Sequence, residues 1–355
     1  DNGIINIPYV SMGANYPDVS WQKTTMKNIG LDFYLLSDRI SGSFDFFRND
    51  ITRLLGYAST SPLAIYETRP INGGHYYRRG WELMVDTKNL VGEFTWDTSL
   101  TFSKTNSFWK ERLPNYDYQI YQQRENEPMS AYYYYNVTGI INTDRSNMPE
   151  SQKTLQAEAQ LPGCPIIEDK NKDGKIDEND VYMKDNSPAI YVGIGNTFTY
   201  KRFEFSFFMY GQFGIQKYNI AYSAAQAGPL AVDYPENSNK FAYRLWNSQT
   251  NPNGSRPGLA IGKMGALPGN AWVNADRENA SFMRMRNITL AYNLAGNILG
   301  SLQRYVRNIK VYVDAQNPFI LTKFQGFDPE IYTGGGGASG GPEVNILKPA
   351  LSLSE

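Results

Sequence analysis

The sequence predicts an all-β protein whose strands form an antiparallel sheet. Three observations carry this prediction: apolar and polar residues alternate with a period of two in many segments, helical periodicity is almost absent, and the alternating segments come in pairs with short polar joints. Successive side chains of a strand point to opposite faces, so this alternation indicates strands with one apolar and one polar face. Strands connected by such short joints pair in the antiparallel direction.

Eight strands are predicted from the alternation. The clearest runs from residue 93 to residue 104, where Phe94, Trp96 and Leu100 share one face and Asp97 and Ser99 lie on the other. In chain order, the predicted strands are residues 29–36, 40–47, 77–87, 93–104, 190–200, 202–210, 282–292 and 309–314. Short helices are expected only at residues 150–159 and 239–249, which lack a clean apolar stripe.

The joints between the strands differ greatly in length. Residues 37–39, 89–92 and 201–202 are short polar joints, whereas residues 50–76, 106–188 and 214–279 are expected to be long irregular connections. Short turns at one end and long loops at the other are typical of a barrel in the bacterial outer membrane. We therefore expect an all-β fold, an antiparallel transmembrane β-barrel portion with long extracellular loops. A soluble β-sandwich has more even spacing.

The composition excludes several classes of function. With 34 basic and 35 acidic side chains the formal net charge is −1, so nothing favours nucleic acid as a partner. One Cys and one His allow neither an internal disulfide nor a histidine-based metal site. No G-x-S-x-G motif accompanies His75, so a hydrolase triad is not expected. We therefore expect no enzymatic activity.

Residues 169–180 match the twelve-residue loop that binds calcium in EF-hands. The candidate metal ligands at positions 1, 3, 5, 7, 9 and 12 are Asp169, Asn171, Asp173, Lys175 (through its carbonyl oxygen), Asp177 and Asp180. Gly174 stands at position 6, where such a loop turns sharply. Asp180 is one methylene shorter than the usual Glu. We expect a structural Ca²⁺ ion; the alternative is a solvated turn without an ion.

Four consecutive tyrosines form the candidate substrate-binding residues: Tyr132, Tyr133, Tyr134 and Tyr135. In a strand, two of these rings face each way, so not all four are expected to be core residues. One interpretation is an aromatic surface that faces a ligand or a partner, because rings stack on sugars and on peptides. The other is a girdle at the membrane interface, where amphipathic rings lie at headgroup depth.

Several segments together resemble the SusC/RagA family of TonB-linked outer-membrane transporters. Residues 17–25 (PDVSWQKTT) and 28–32 (NIGLD) are similar to an early signature of that family, and residues 280–292 (ASFMRMRNITLAY) to a late one. Further similar segments, in family order, are residues 79–83, 169–177, 193–200, 203–208, 311–318 and 326–330. The resemblance therefore runs through nearly the whole chain.

The resemblance implies that residues 1–355 are the C-terminal part of a barrel of roughly 22 strands. The plug domain, the early strands and the closing strand are then expected outside this chain. The implied function is TonB-dependent import of nutrient oligomers, either oligosaccharides or oligopeptides, across the bacterial outer membrane. The implied partners are a SusD-like surface lipoprotein, TonB and outer-membrane lipid.

A second hypothesis is a secreted, soluble, calcium-stabilised β-sandwich that binds carbohydrate. The calcium loop and the tyrosines fit both hypotheses equally well. They differ in the apolar strand faces, since a soluble protein would expose residues such as Phe94 and Phe203 unless a second sheet covered them.

Overall fold

A computed structural model describes residues 16–59, 68–114, 118–122, 126–219, 244–258, 267–270, 272–294, 309–326 and 328–330. These residues contain strands and short 3₁₀ turns and no α-helix. The strands are β1 (Lys23–Leu35), β2 (Ile40–Ser59), β3 (Thr68–Leu90), β4 (Phe94–Glu111), β5 (Ala131–Tyr135), β6 (Val137–Ile140), β7 (Pro165–Ile167), β8 (Tyr182–Asp185), β9 (Ile190–Tyr200), β10 (Phe203–Phe213), β11 (Gln216–Tyr218), β12 (Trp272–Val273), β13 (Arg277–Asn279), β14 (Phe282–Leu294), β15 (Ile309–Gln316) and β16 (Ile320–Thr322). No helix in this part of the chain is long and apolar enough to cross a membrane.

Nine of these strands form one antiparallel sheet. Its order is β1-β2-β3-β4-β9-β10-β14-β15, with β16 paired to the far end of β14. The described residues form an open sheet whose edges are β1 and β15. All eight predicted strands lie in it, so the predicted all-β antiparallel fold is confirmed.

The two faces of the large sheet differ in chemistry. One cross-strand row on the apolar face consists of Trp96, Phe198, Phe205, Leu290 and Val313. The adjacent row on the opposite face consists of Asp97, Thr197, Ser206, Thr289 and Asp314. In these two rows the register pairs apolar positions with apolar ones and polar positions with polar ones. Apolar side chains of neighbouring strands therefore lie on the same face.

Nothing among the described residues covers the apolar face. Phe203 is 54% exposed and Val313 is 74% exposed. The largest buried core lies instead in the insertion between β4 and β9, around Tyr135, Ile167 and Val181. The structure therefore lends no support to a soluble sandwich, in which a second sheet would pack on these rings.

The prediction of an irregular connection at residues 50–76 is wrong. Within it, β2 and β3 continue as paired strands from Asp50 opposite Tyr77 to Ser59 opposite Thr68. Residues 60–67 of the predicted connection lie outside the described part of the chain. Apolar–polar alternation is broken there, because Leu54 and Leu55 are adjacent and two glycines interrupt residues 72–75. Arg53 and Gly74, both with positive φ, interrupt the ladder.

The described parts of the other two long connections contain strands that were not predicted. The insertion after β4 holds β5 to β8, and the connection after β10 holds β11 to β13. The helix expected at residues 150–159 is two separate 3₁₀ turns, Glu150–Thr154 and Ala157–Gln160, because the chain is extended at Leu155 between them. Of the helix expected at residues 239–249, residues 239–243 lie outside the described part of the chain.

Several glycines permit the close approach of neighbouring strands. A Cβ atom on Gly80 in β3 would lie 2.3 Å from the carbonyl oxygen of Lys104 and 2.7 Å from the ring of Phe47. A Cβ on Gly195 in β9 would instead make ordinary contacts of 3.7 Å or more. The two glycines are therefore a matched pair with different steric demands.

We expect Gly80→Ala to lower the free energy of unfolding by about 1–3 kcal/mol, because β3 and β4 must separate to admit the methyl group. Gly195→Ala is the control and should change stability by less than about 0.5 kcal/mol. The measurement is reversible unfolding in detergent. Equal stability of the two variants would contradict the close packing at Gly80.

Candidate binding surface

A folded module stands at the end of the large sheet opposite the short joints. It comprises residues 118–122, 126–185, 267–270 and 272–273 and is called the loop module below. Its core contains Tyr121, Tyr135, Leu155, Ala159, Ile167, Ile176, Val181 and Leu267. Because these side chains come from three distant parts of the sequence, the module is held together by its own hydrophobic core. It offers a preformed surface at the loop end of the sheet.

The tyrosine run lies on β5, inside a small sheet of order β12-β5-β8. It is not part of the large sheet, so the girdle interpretation is not supported. Alternation divides the four rings into two pairs. Tyr132 and Tyr134 stack on one face of β5, with ring centroids 5.2 Å apart, while Tyr133 and Tyr135 point to the other.

Tyr135 is a core residue, so the prediction that it contacts a substrate is wrong. The residue is 0% exposed. Its hydroxyl group lies 3.0 Å from the carbonyl oxygens of both Asp177 and Pro268, and so ties the 169–180 loop to the segment before β12. Burial raises the pKa of the Tyr135 phenol above its ordinary value. The side chain therefore stabilises the module and cannot meet a ligand.

Tyr133 belongs to a partly buried polar network. Its hydroxyl donates to the fully buried carboxylate of Glu127, which Arg112 also contacts. Arg112 lies 3.3 Å from the Tyr133 hydroxyl and places its guanidinium 4.9 Å from the Tyr118 ring centroid. Burial, followed by the hydrogen bond to Glu127, raises the pKa of the Tyr133 phenol. This network connects the end of β4 to β5.

The other two tyrosines form an aromatic ladder with Tyr182 of β8. The Tyr134 and Tyr182 ring centroids are 5.7 Å apart. A cation stands at each end of the ladder: the Arg277 guanidinium lies 3.5 Å from the Tyr132 centroid, and the Lys170 ammonium lies 4.6 Å from the Tyr182 centroid. Burial lowers the pKa of Arg277. All three rings are partly exposed, so the ladder presents aromatic surface at the loop end.

The 169–180 loop has the turn that its sequence predicts. Gly174 has a φ of +87°, and Asp169 accepts the backbone N–H groups of Asp173 (3.2 Å) and Gly174 (2.9 Å). Ile176 is buried and packs in the module core, as expected. Asp180 is 0% exposed and accepts the backbone N–H groups of Lys170 and Asp177.

The electrostatics of this loop bear on the predicted Ca²⁺ ion. The Lys175 ammonium lies 3.2 Å from an Asp177 carboxylate oxygen, which raises the pKa of Lys175. The Asn179 backbone N–H, together with Lys175, lowers the pKa of Asp177. Among the described residues, no three His, Cys, Asp or Glu side chains converge as a metal site. A Ca²⁺ ion would therefore also need the Asn171 amide and backbone carbonyl oxygens, and its presence stays a prediction.

Two concave surfaces have no counterpart in the sequence motifs. A cleft of about 680 Å³ lies between β6 and residues 246–257, with Trp246 and the amides of Asn142, Asn147 and Asn274 in its lining. A second concavity, of about 390 Å³, lies chiefly on the polar face near the short joints and includes Asp86, Asp97 and Asn196. Neither has a local sequence signal, since their residues come from segments far apart in the chain.

The hydroxyl of Tyr135 offers a direct test of how the module is held together. Tyr135→Phe removes the donor shared by the carbonyl groups of Asp177 and Pro268, so we expect a loss of about 1–3 kcal/mol in the stability of the loop module. Tyr134→Phe is the control, because no hydrogen bond of the Tyr134 hydroxyl is found in the described structure. Hydrogen exchange of the amides in β5 and β12 measures the difference. Equal protection in both variants would refute this role for Tyr135.

Comparison with known proteins finds relatives among the TonB-dependent receptors. No family model matches the chain. It is 27% identical over 326 residues to the TonB-dependent receptor SusC of Bacteroides thetaiotaomicron, covering 89% of this chain and 30% of that receptor. It is 25% identical over 327 residues to the TonB-dependent receptor P3 of Formosa agariphila, covering 88% of this chain and 31% of the receptor. The chain thus spans about a third of the length of these relatives.

Solved structures agree with the fold. The RagAB peptide transporter superposes with a TM-score of 0.67 at 19% identity, covering 89% of this chain and 33% of that one. The RagAB peptide importer in its closed-closed state gives a TM-score of 0.65, also at 19% identity, covering 89% of this chain and 34% of that one. At this identity the likeness concerns the fold alone. The motifs and the curated relatives together identify the chain as part of a TonB-dependent receptor of the SusC/RagA family, and its fold agrees with this.

Proposed function

We propose that this chain contributes a part of the wall and of the outer mouth of an importer for nutrient oligomers in the bacterial outer membrane. The observation that carries the proposal is the division of the large sheet into an exposed apolar face and a polar face. An apolar face of aromatic and aliphatic side chains suits contact with lipid, and a polar face suits a water-filled lumen. The family relationship supports the same assignment.

The loop module supplies the surface on which an oligomer would first be held. The Tyr132–Tyr134–Tyr182 ladder offers ring faces and edges, and the cleft beside Trp246 adds amide groups. Rings and amides together bind sugar faces as well as extended peptides. The substrate class is therefore an oligosaccharide or an oligopeptide. One compared structure is titled a peptide importer, and that title concerns its own protein.

The proposed partners follow from the family. A SusD-like lipoprotein would cover the loop end, and TonB would supply energy through parts of the receptor outside this chain. With a lid above the loop module and a polar lumen below, an oligomer would pass along side chains such as Asp97, Thr197 and Ser206. We propose no chemical reaction, because the proposed role of these surfaces is to let an oligomer pass through the lumen.

Location and uptake test this proposal. The complete receptor should fractionate with the outer membrane and require detergent for extraction. A strain without it should lose uptake of the fluorescently labelled oligosaccharide or oligopeptide that supports its growth. A monodisperse soluble receptor in detergent-free buffer would overturn the proposal and favour the sandwich hypothesis.

Substitution of Tyr134 tests the aromatic ladder. Tyr134→Ala removes the middle ring, so we expect oligomer affinity to fall about 2- to 13-fold, which corresponds to roughly 0.5–1.5 kcal/mol for an aromatic pair. Tyr134→Phe keeps the ring and should bind within twofold of the wild type. Titration of the purified receptor with labelled oligomers measures both. Unchanged affinity in the alanine variant would remove the ladder from the binding surface.

We also propose that residues 169–180 bind a structural Ca²⁺ ion. The spacing of the oxygen ligands and the turn at Gly174 support this proposal, and a bound ion would offset the repulsion among Asp169, Asp173 and Asp177. Binding would order a loop that is already tied to Tyr135 and to the module core. The ion would thereby stabilise the loop module.

Calcium removal gives the corresponding test. EDTA should lower the midpoint of thermal unfolding of the loop module by several degrees, and added Ca²⁺ should restore it. Asp169→Asn keeps an oxygen for the turn but lowers the charge, so this variant should lose most of the calcium response. A wild-type midpoint that is the same with EDTA and with Ca²⁺ would leave the loop as a solvated turn.

A further inference from the structure

A band of cations borders the apolar face at the loop end of four neighbouring strands. On β1 to β4, the apolar run of outward side chains ends at Ile29, Phe46, Trp81 and Phe102, respectively. Two positions further toward the loop end, on the same face, each strand carries a cation. These cations are Lys27, Arg48, Arg79 and Lys104.

The register brings these charges close together. Lys27 is the cross-strand partner of Arg48, and Arg48 is the partner of Arg79. Directly opposed like charges destabilise a sheet, and Cβ atoms at such positions lie about 4.5–5.5 Å apart. Lys104 faces Trp81 in the adjacent row. The sheet therefore concentrates positive charge along one line, at a cost that a bound anion would offset.

One carboxylate lies within this band. Asp50 accepts two hydrogen bonds from Arg48, both 3.0 Å long, and also lies 3.3 Å from His75. In the described structure, no carboxylate lies within 4.0 Å of Lys27, Arg79 or Lys104. The band thus keeps an excess of positive charge on the apolar side of the sheet.

Aromatic rings hold the two guanidinium groups in place. Arg48 lies 4.3 Å from the centroid of the Tyr77 ring, and Arg79 lies 5.1 Å from that of Phe108. Tyr77 is buried beneath them and stacks on Phe108 at 5.3 Å, while the Arg79 side chain remains exposed. Arg48 already uses Nε and one terminal nitrogen for Asp50. The ordered Arg79 guanidinium has no carboxylate partner in the described structure and presents its N–H groups in a fixed fork, the geometry that binds phosphate through two hydrogen bonds.

We infer that this band binds the phosphate groups of an anionic glycolipid in the outer leaflet of the membrane. The inference rests on the proposed membrane location. Two residues of a strand span about 6–7 Å, so the cations stand at headgroup depth if Trp81 and Phe46 meet the acyl chains. The band faces away from the polar face, so a transported oligomer does not reach it. Its charge and its height favour a lipid phosphate over an acidic protein.

Lipid retention by the complete receptor tests the inference. The variant Lys27→Gln/Arg79→Gln/Lys104→Gln removes three cations and leaves the Arg48–Asp50 pair intact. The control Arg145→Gln/Lys153→Gln/Lys184→Gln removes three exposed cations from the loop module. After extraction in mild detergent, native mass spectrometry counts the phosphorylated glycolipid molecules on each receptor. We expect at least a twofold loss in the first variant and no loss in the control.

Adding lipid back separates phosphate binding from apolar contact. Delipidated wild-type receptor should be stabilised against heat more strongly by phosphorylated lipid A than by its dephosphorylated form, and the first variant should lose that difference. Equal effects of the two lipids on the wild type, or equal lipid retention by the two variants, would overturn the inference while leaving the importer proposal intact. Binding of an acidic protein instead of lipid would also overturn it. Absence of the receptor from the outer membrane would refute both the importer proposal and the lipid inference.

Discussion

Backbone hydrogen bonding between antiparallel neighbours is the constraint on which the rest of this structure depends. Each strand of the large sheet satisfies its N–H and C=O groups through the next strand, which leaves the side chains on the two faces free to differ. In a hydrocarbon environment this pairing is obligatory, because no water is present to replace a missing bond. The register then aligns Phe205 with Leu290 and Ser206 with Thr289, so apolar side chains gather on one face of the sheet and polar side chains on the other.

The loop module obeys a different rule. Its strands are short, and its stability comes from a hydrophobic core of conventional type around Tyr135 and Ile176. The 169–180 loop contributes to that core through Ile176 and is tied to it through the Tyr135 hydroxyl. A module of this kind presents ordered aromatic surface at lower entropic cost than a flexible loop, which is an advantage in binding. The same chain therefore combines a sheet that exposes its apolar side chains with a module that buries them.

The sequence predicted the strands best where a face must be apolar. The alternation at Phe94 and Trp96 is clear because the side chains on that face of β4 are mostly apolar. In the far ends of β2 and β3 the alternation is broken, so the sequence alone predicts a loop there. The tyrosine run was correctly recognised as having two faces. Tyr135 is buried where its hydroxyl contacts Asp177 and Pro268, which lie 42 and 133 residues further along the chain. The partly exposed ladder depends on Tyr182, which lies 48 residues after Tyr134.

By itself, the sequence determined the fold class, the paired strands, the turn at Gly174 and the family relationship, because each is encoded in local spacing or in short motifs. Only the tertiary structure decided which side chains share a surface. In the folded chain the Arg277 guanidinium lies over the Tyr132 ring, and a cleft forms beside Trp246. The pairing of β1, β2 and β3 puts Lys27, Arg48 and Arg79 in one row. The physical reason is register: pairing brings residues from distant segments to the same height on a sheet, and no local pattern in the sequence reports that height.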